Sequence, residues 1–129
     1  MLNRHETRER IVFALYQHLL LNKDIDSCFE DNFSEEENSE FIDDIRIDLS
    51  INENNYIEEI SQYLKNWAFD RLNLVEQAIL LETVSELKNH MNEKAVIIDE
   101  AVILAKTYGD DDSYKYINGV LDHLCSKSQ

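Results

Sequence analysis

The chain has 129 residues, no proline, two glycines and a formal net charge of −15. So little turn chemistry argues against a sandwich or barrel and for an all-α chain, while 43% hydrophobic content is too high for wholesale disorder. There is no apolar run of about 18 residues to span a membrane. The opening MLNRHETRER lacks the apolar stretch of a signal peptide. Cys28 and Cys125 form no metal-like or redox-like pair, which suits free thiols in a reducing cytosol.

The first helix is expected from about Arg4 to Asn22, with Ile11, Val12, Leu15, Tyr16 and Leu19 on its apolar side. At about 100° per residue, Arg4 and Arg8 project in nearly the same direction as Ile11 and Leu15. Either the helix outruns the bundle and presents two arginines past its edge, or its first turns unwind into an arm. Both versions place positive charge at one end of the core. Residues 22–40 read as a loop or a weakly helical region, anchored by Ile25, Phe29 and Phe33. Phe41, Ile42, Ile45 and Leu49 mark a second helix, and Tyr56, Ile57, Ile60, Tyr63 and Leu64 a third, leading into Trp67. Leu72, Val75, Ile79, Leu80, Val84 and Leu87 describe a strongly amphipathic helix.

The last two helices need each other. Ile98, Ala101, Val102 and Ala105 recur at helical spacing until Gly109, a C-terminal signal. Ile117, Val120, Leu121 and Leu124 carry the final helix. Between them lies a detailed polar stretch: Asp112, Ser113, Lys115, Tyr116, Asn118 and Gly119. Glycine inside a helix costs about 1 kcal/mol relative to alanine, so Gly119 implies that something approaches that face closely. Asp110, Asp111 and Asp112 lack the alternating ligands and the closing glutamate of a calcium loop. Helix capping explains them better.

Charge is unevenly spread. Between Asp24 and Glu59 fourteen acids face one base, Arg46, which leaves the rest of the chain near balance. The first 23 residues are net positive through Arg4, Arg8, Arg10 and Lys23. Exposed charges more than about 8 Å apart are largely screened at physiological salt, so a cationic site for phosphates can coexist with an acidic flank. No catalytic or metal constellation is present: His5, His18, His90 and His123 are scattered, and there is no phosphate loop or nucleophile elbow. His18, near the apolar side of the first helix, reads as a structural histidine. No cofactor is expected, and the chain does not read as an enzyme.

These residues resemble the NusB family. Val96 to Lys106 and Ser113 to Asp122 match the family's V-a-I-n-E-a-V-e-l-A-K and S-x-K-F-V-N-G-v-L-D helices, with Asp99 at the asparagine position and Tyr116-Ile117 for Phe-Val. Trp67, Arg71-Leu72 and Val75 to Leu87 match W-x-x-x-R-L and V-x-x-A-I-L-R-x-x-x-x-E-L. Arg8, Glu9, Ala14, Leu15, Tyr16 and Gln17 match A-R-E-x-A-x-x-A-L-Y-Q. The matches are collinear over nearly the whole chain. Departures include His5 and Glu6 where bases are common, Leu81 for an arginine, Glu93 for a proline, and Asp112 where RNA is expected.

The resemblance implies an all-α fold of two small helical bundles, about seven helices packed as one domain, divided at about 1–50 and 53–126. It implies a non-catalytic, cytoplasmic antitermination adaptor. The implied partners are NusE, a small-subunit ribosomal protein, and boxA-type single-stranded RNA of nascent ribosomal RNA leaders, with RNA polymerase and other factors engaged indirectly. The implied RNA-facing residues are Arg4, Arg8, Asp112, Ser113, Lys115 and Tyr116, and the implied NusE-facing residues are Tyr16 and Glu76. Other readings stay open: Tyr16 and Tyr116 as core, Arg4 and Arg8 as a solvated terminus, Asn118 and Gly119 as helix packing, a homodimer in place of a monomer, and an acidic protein-interaction module that has lost RNA.

Overall fold

The computed structural model describes residues 2–65 and 68–127; Trp67 lies outside them. Six α-helices follow one another: α1 (Arg4–Leu21), α2 (Ile25–Asn32), α3 (Glu40–Ser61), α4 (Leu74–Lys88), α5 (Lys94–Tyr108) and α6 (Ser113–Lys127), with a short 3-10 turn at Phe69–Arg71. Helix starts are chemically marked. Asn3 Oδ1 accepts from the Glu6 amide at 2.8 Å while Glu6 Oε1 accepts from the Asn3 amide at 3.0 Å, a reciprocal capping box. Asp24, Ser39 and Asn73 cap α2, α3 and α4 with side-chain oxygens, each worth about 1 kcal/mol.

Two boundaries differ from the sequence reading. The stretch expected as loop or weak helix contains α2, because Ile25 and Phe29, one turn apart, bury together with Phe33. Tertiary burial sustains a helix too short to stand alone. The two helices expected at 41–49 and 56–64 are one. Asp48 accepts hydrogen bonds from Asn52 Nδ2 and Tyr56 Oη, both at 2.9 Å, and carries α3 through the polar run that looked like an interruption. Six helices therefore stand where about seven were expected, and α3 passes continuously through residues 50–53.

Helix α4 is the centre. It packs against α1, α3, α5 and α6, and every residue from Glu76 to Leu87 is buried. The amphipathic reading missed this because Gln77, Glu82, Thr83, Ser85 and Glu86 look like a solvent face. A helix buried all round must instead satisfy its polar side chains internally. Thr83 Oγ1 donates to the Ile79 carbonyl at 2.7 Å, Gln77 Nε2 to the Leu72 carbonyl at 2.8 Å, and Ser85 Oγ to Asp48 at 2.7 Å. Leu81, which takes the place of an arginine in the family pattern, is fully buried.

The central charge is Arg8. Its Nε and Nη2 donate to the two carboxylate oxygens of Glu86 at 2.8 and 2.9 Å, and Glu100 Oε1 lies 3.8 Å from Nη1. Burial works against the guanidinium charge, but the Glu86 hydrogen bonds and the fields of Glu86, Glu82 and Glu100 raise its pKa. Glu82, one turn before Glu86, buries an Oε2 that has no hydrogen-bond partner. Burial first, then the charge of Glu86, holds its carboxyl well above the usual carboxylate range. His18 is structural, as expected: Nε2 meets Glu53 at 2.8 Å and Nδ1 meets the Lys23 carbonyl at 2.5 Å. With an acceptor at each ring nitrogen, the doubly protonated ring is favoured, and its pKa is raised chiefly by Glu53.

The two glycines act oppositely. A Cβ on Gly109 would fall 2.2 Å from Ser113 Oγ and 3.3 Å from Glu76 Oε2, so the α5–α6 corner closes only around a bare backbone. A Cβ on Gly119 would meet nothing within 4 Å. The close approach expected there does not exist, and Gly119 faces open space.

Four substitutions test this packing. Gly119→Ala should stabilise by up to about 1 kcal/mol and Gly109→Ala destabilise by about 1–3 kcal/mol, read by urea denaturation. Glu82 has a folded pKa above its unfolded value of about 4.3, so its contribution is complete below that value and lost as pH rises towards the folded one; Glu82→Gln should remove this fall. His18 has the same sign from a higher start. Its contribution is complete below about pH 6.5 and lost as pH rises through the folded value, so thermal melts of His18→Asn should flatten the pH dependence in that range.

Candidate nucleic-acid interface

The predicted site residues fall into two groups. At one end of the bundle Arg4 is exposed, with its guanidinium 3.8 Å from the centre of the Phe41 ring. Arg8 corrects the expectation of a second free arginine, being 2% exposed and gripped by Glu86. The stripe of α1 stays buried past Ile11 because α4 supplies a carboxylate for the arginine. The His5 ring nitrogen Nδ1 lies 3.1 Å from Glu100 Oε2.

At the α5–α6 corner, Asp112 and Lys115 are exposed and form an ion pair at 3.3 Å. Solvated pairs of this kind contribute little to stability. Ser113, expected to face RNA, is 4% exposed. Its amide and hydroxyl donate to the Asp110 carbonyl at 3.0 and 2.9 Å, which builds the first turn of α6. Tyr116 is half-buried, and its hydroxyl donates to Glu76 Oε1 at 2.6 Å. The Asp110 amide donates to the other oxygen, Oε2, at 3.0 Å. Burial and the Glu76 bond push the Tyr116 phenol well up. Glu76 is only 3% exposed, which corrects its expected place on an open partner-facing surface; it is the internal acceptor that ties α4 to the corner.

The two ends are therefore anchored on one helix. Arg8 binds Glu86 and Tyr116 binds Glu76, ten residues apart on α4, or about 15 Å at 1.5 Å per residue. Tyr16 is half-buried against the core. Beside it on α1, Phe13 stays partly exposed and meets the Tyr108 ring edge-on at 5.2 Å, while Tyr108 Oη donates to Glu9 at 2.5 Å.

Two features escaped the sequence reading. Tyr114 lies between Lys106 Nζ at 4.9 Å and Lys115 Nζ at 5.9 Å from its ring centre. The pairing of Lys106 with α6 depends on how the corner folds, which local sequence does not show. An open cleft of about 1030 Å³ also adjoins the corner, with Tyr63, Lys65, Arg71, Tyr116, Gly119 and His123 among its lining residues. Tyr63 and His123 stack there with centroids 6.1 Å apart. Arg71, part of the family's W-x-x-x-R-L match, is exposed on its rim. Among the described residues no cluster suited to a metal ion is found, and no helix is long and apolar enough to cross a membrane.

Comparison with known proteins matches this architecture. The NusB family model covers residues 5–126. Transcription antitermination protein NusB of Bacillus cereus (strain B4264) is 35% identical over 127 residues, covering 95% of this chain and 97% of that protein. The Bacillus thuringiensis (strain Al Hakam) protein of the same name is likewise 35% identical over the same shares. Among solved structures, T. maritima NusB superposes with a TM-score of 0.87 at 28% identity, covering 98% of this chain and 92% of that one. NusB in a complex with NusE and double-stranded RNA gives 0.82 at 22% identity and 96% coverage of both chains, a likeness of fold. Matched by the family model from residue 5 to residue 126, and by relatives across nearly their whole length, the chain belongs to the NusB family.

Proposed function

We propose that this protein is a transcription antitermination factor, a non-catalytic cytoplasmic adaptor that pairs with a NusE-type ribosomal protein and binds boxA-type single-stranded RNA of ribosomal leader transcripts. Family membership supports the reading. The observation that carries it to particular residues is the aromatic and cationic cluster at the α5–α6 corner, where Lys106 and Lys115 flank Tyr114; Tyr116, two residues on, faces the other side of α6, towards Glu76 and the adjoining cleft. Unpaired bases stack on aromatic rings for roughly 1–3 kcal/mol each, and lysines supply the phosphate contacts. Arg4 adds an exposed charge at the other end of the bundle. In this reading Lys115 and Tyr116 touch RNA, Asp112 tempers the affinity through its pair with Lys115, and Arg8 and Ser113 act by holding α1 and α6 in place.

The partner-facing surface is the outer side of α1, where Tyr16 lies with the exposed side chains Phe13 and Leu20. Glu76 supports the corner from inside. With few free cations, the protein alone should hold RNA weakly and depend on NusE.

Fluorescence anisotropy with a boxA-like RNA oligonucleotide tests this, with and without purified NusE. Binding should be weak for the protein alone and strengthen with NusE. Lys115→Glu and Arg4→Glu should each lower affinity and flatten the salt dependence by about one unit of log slope. Tyr114→Ala should cost about 1–3 kcal/mol of RNA binding. Tight, sequence-selective binding by the lone protein, or a ternary complex indifferent to all three substitutions, would overturn the assignment and favour an acidic protein-only module.

A further inference from the structure

Helix α3 has an outer seam that the nucleic-acid reading leaves unused. Glu40, Asp44, Ile47, Ile51, Asn54 and Glu58 succeed one another at intervals of four, three, four, three and four residues, the spacing of a coiled-coil contact line. All six are exposed. The two central positions are isoleucines, 49% and 73% exposed. Single exposed apolar residues are ordinary, but a β-branched pair on adjacent positions of one seam is a knob line without a hole. The ends of the seam are acidic, and so are its surroundings. Arg46, the one base between residues 24 and 59, is committed to Asp26 at 2.9 Å and Asp43 at 3.4 Å.

We propose that this seam docks an amphipathic helix of a partner protein, apolar at its centre and rich in lysine or arginine at both ends. Its apolar centre covers Ile47 and Ile51, and its basic ends meet Glu40 and Asp44 on one side and Glu58 on the other. Charge selects the occupant. A second copy of this chain paired antiparallel would set Glu40 against Glu58, and paired parallel would set each acid against itself; both are repulsive. An anionic lipid surface is repelled for the same reason. The seam lies on α3, apart from the α5–α6 corner, and the inference does not depend on RNA binding there.

The test is fluorescence anisotropy of a labelled, side-chain-stapled helical peptide of about 20 residues, carrying leucine at two central seam positions and lysine at the flanking ones, beside a control with glutamate for lysine. The lysine peptide should bind at micromolar concentration. Its affinity should fall roughly tenfold or more between low and high salt, and by a similar factor in Ile47→Ser/Ile51→Ser. That variant changes only exposed positions and should keep its thermal midpoint. Absence of binding, equal binding of the glutamate peptide, or binding unchanged in the double variant overturns the proposal. So does sedimentation showing a dimer that the double variant dissolves, since the seam would then belong to a second copy.

Discussion

The bidentate contact between Arg8 and Glu86 sets the geometry of the whole bundle. Both groups are removed from water, and a desolvated charge that loses its partner costs about 3–5 kcal/mol, so α1 has one acceptable register against α4. That register places Arg4 over Phe41 and brings Glu9 and Phe13 alongside Tyr108 at the end of α5. The position of Tyr108 in turn leads into Gly109 and the corner from which Lys115 and Tyr114 project. Beside the pair, burial first and then the charge of Glu86 hold the Glu82 carboxyl well above the usual carboxylate range. The arginine that looked like a ligand for phosphate is the fastener that lets other cations be one.

Electrostatics then divides the molecule. The acidic residues of α2, α3 and the turn between them are largely exposed, and several act locally: Asp24 caps α2, Glu37 holds Arg10 at 2.8 Å, and Glu59 holds Lys88 at 2.6 Å. The exposed cations Arg4, Lys65, Arg71, Lys94, Lys106 and Lys115 lie outside α2 and α3. With screening over about a Debye length, these cations are partly shielded from the acidic flank despite the strongly negative chain.

The helical class, the long α4 pattern and the paired last helices were legible because apolar periodicity is a local signal. Arg8, Glu76 and Ser113 were not read correctly as to exposure, because each is a polar residue whose burial depends on a partner distant in sequence: Glu86, Tyr116 and the Asp110 carbonyl at the folded corner. Polarity alone assigns such residues to the surface. Gly119 misled in the opposite direction, since the absence of a side chain does not say whether the space is filled by a neighbour or left empty. The continuity of α3 was hidden by a polar run rich in asparagine, whose weak helix propensity was overridden by Asp48 and by burial of Tyr56 and Ile60.

An unbroken α3 has a mechanical meaning. Twenty-two residues of helix extend about 33 Å, packed on α4 along the way, and they run without a break through residues 50–53. Hinges in proteins need a few residues free to change backbone angles, and none interrupts this rod. The outer face of α3 therefore keeps one orientation relative to α4, on which it packs. The rod gives the bundle a stiff edge of set length with no joint of its own.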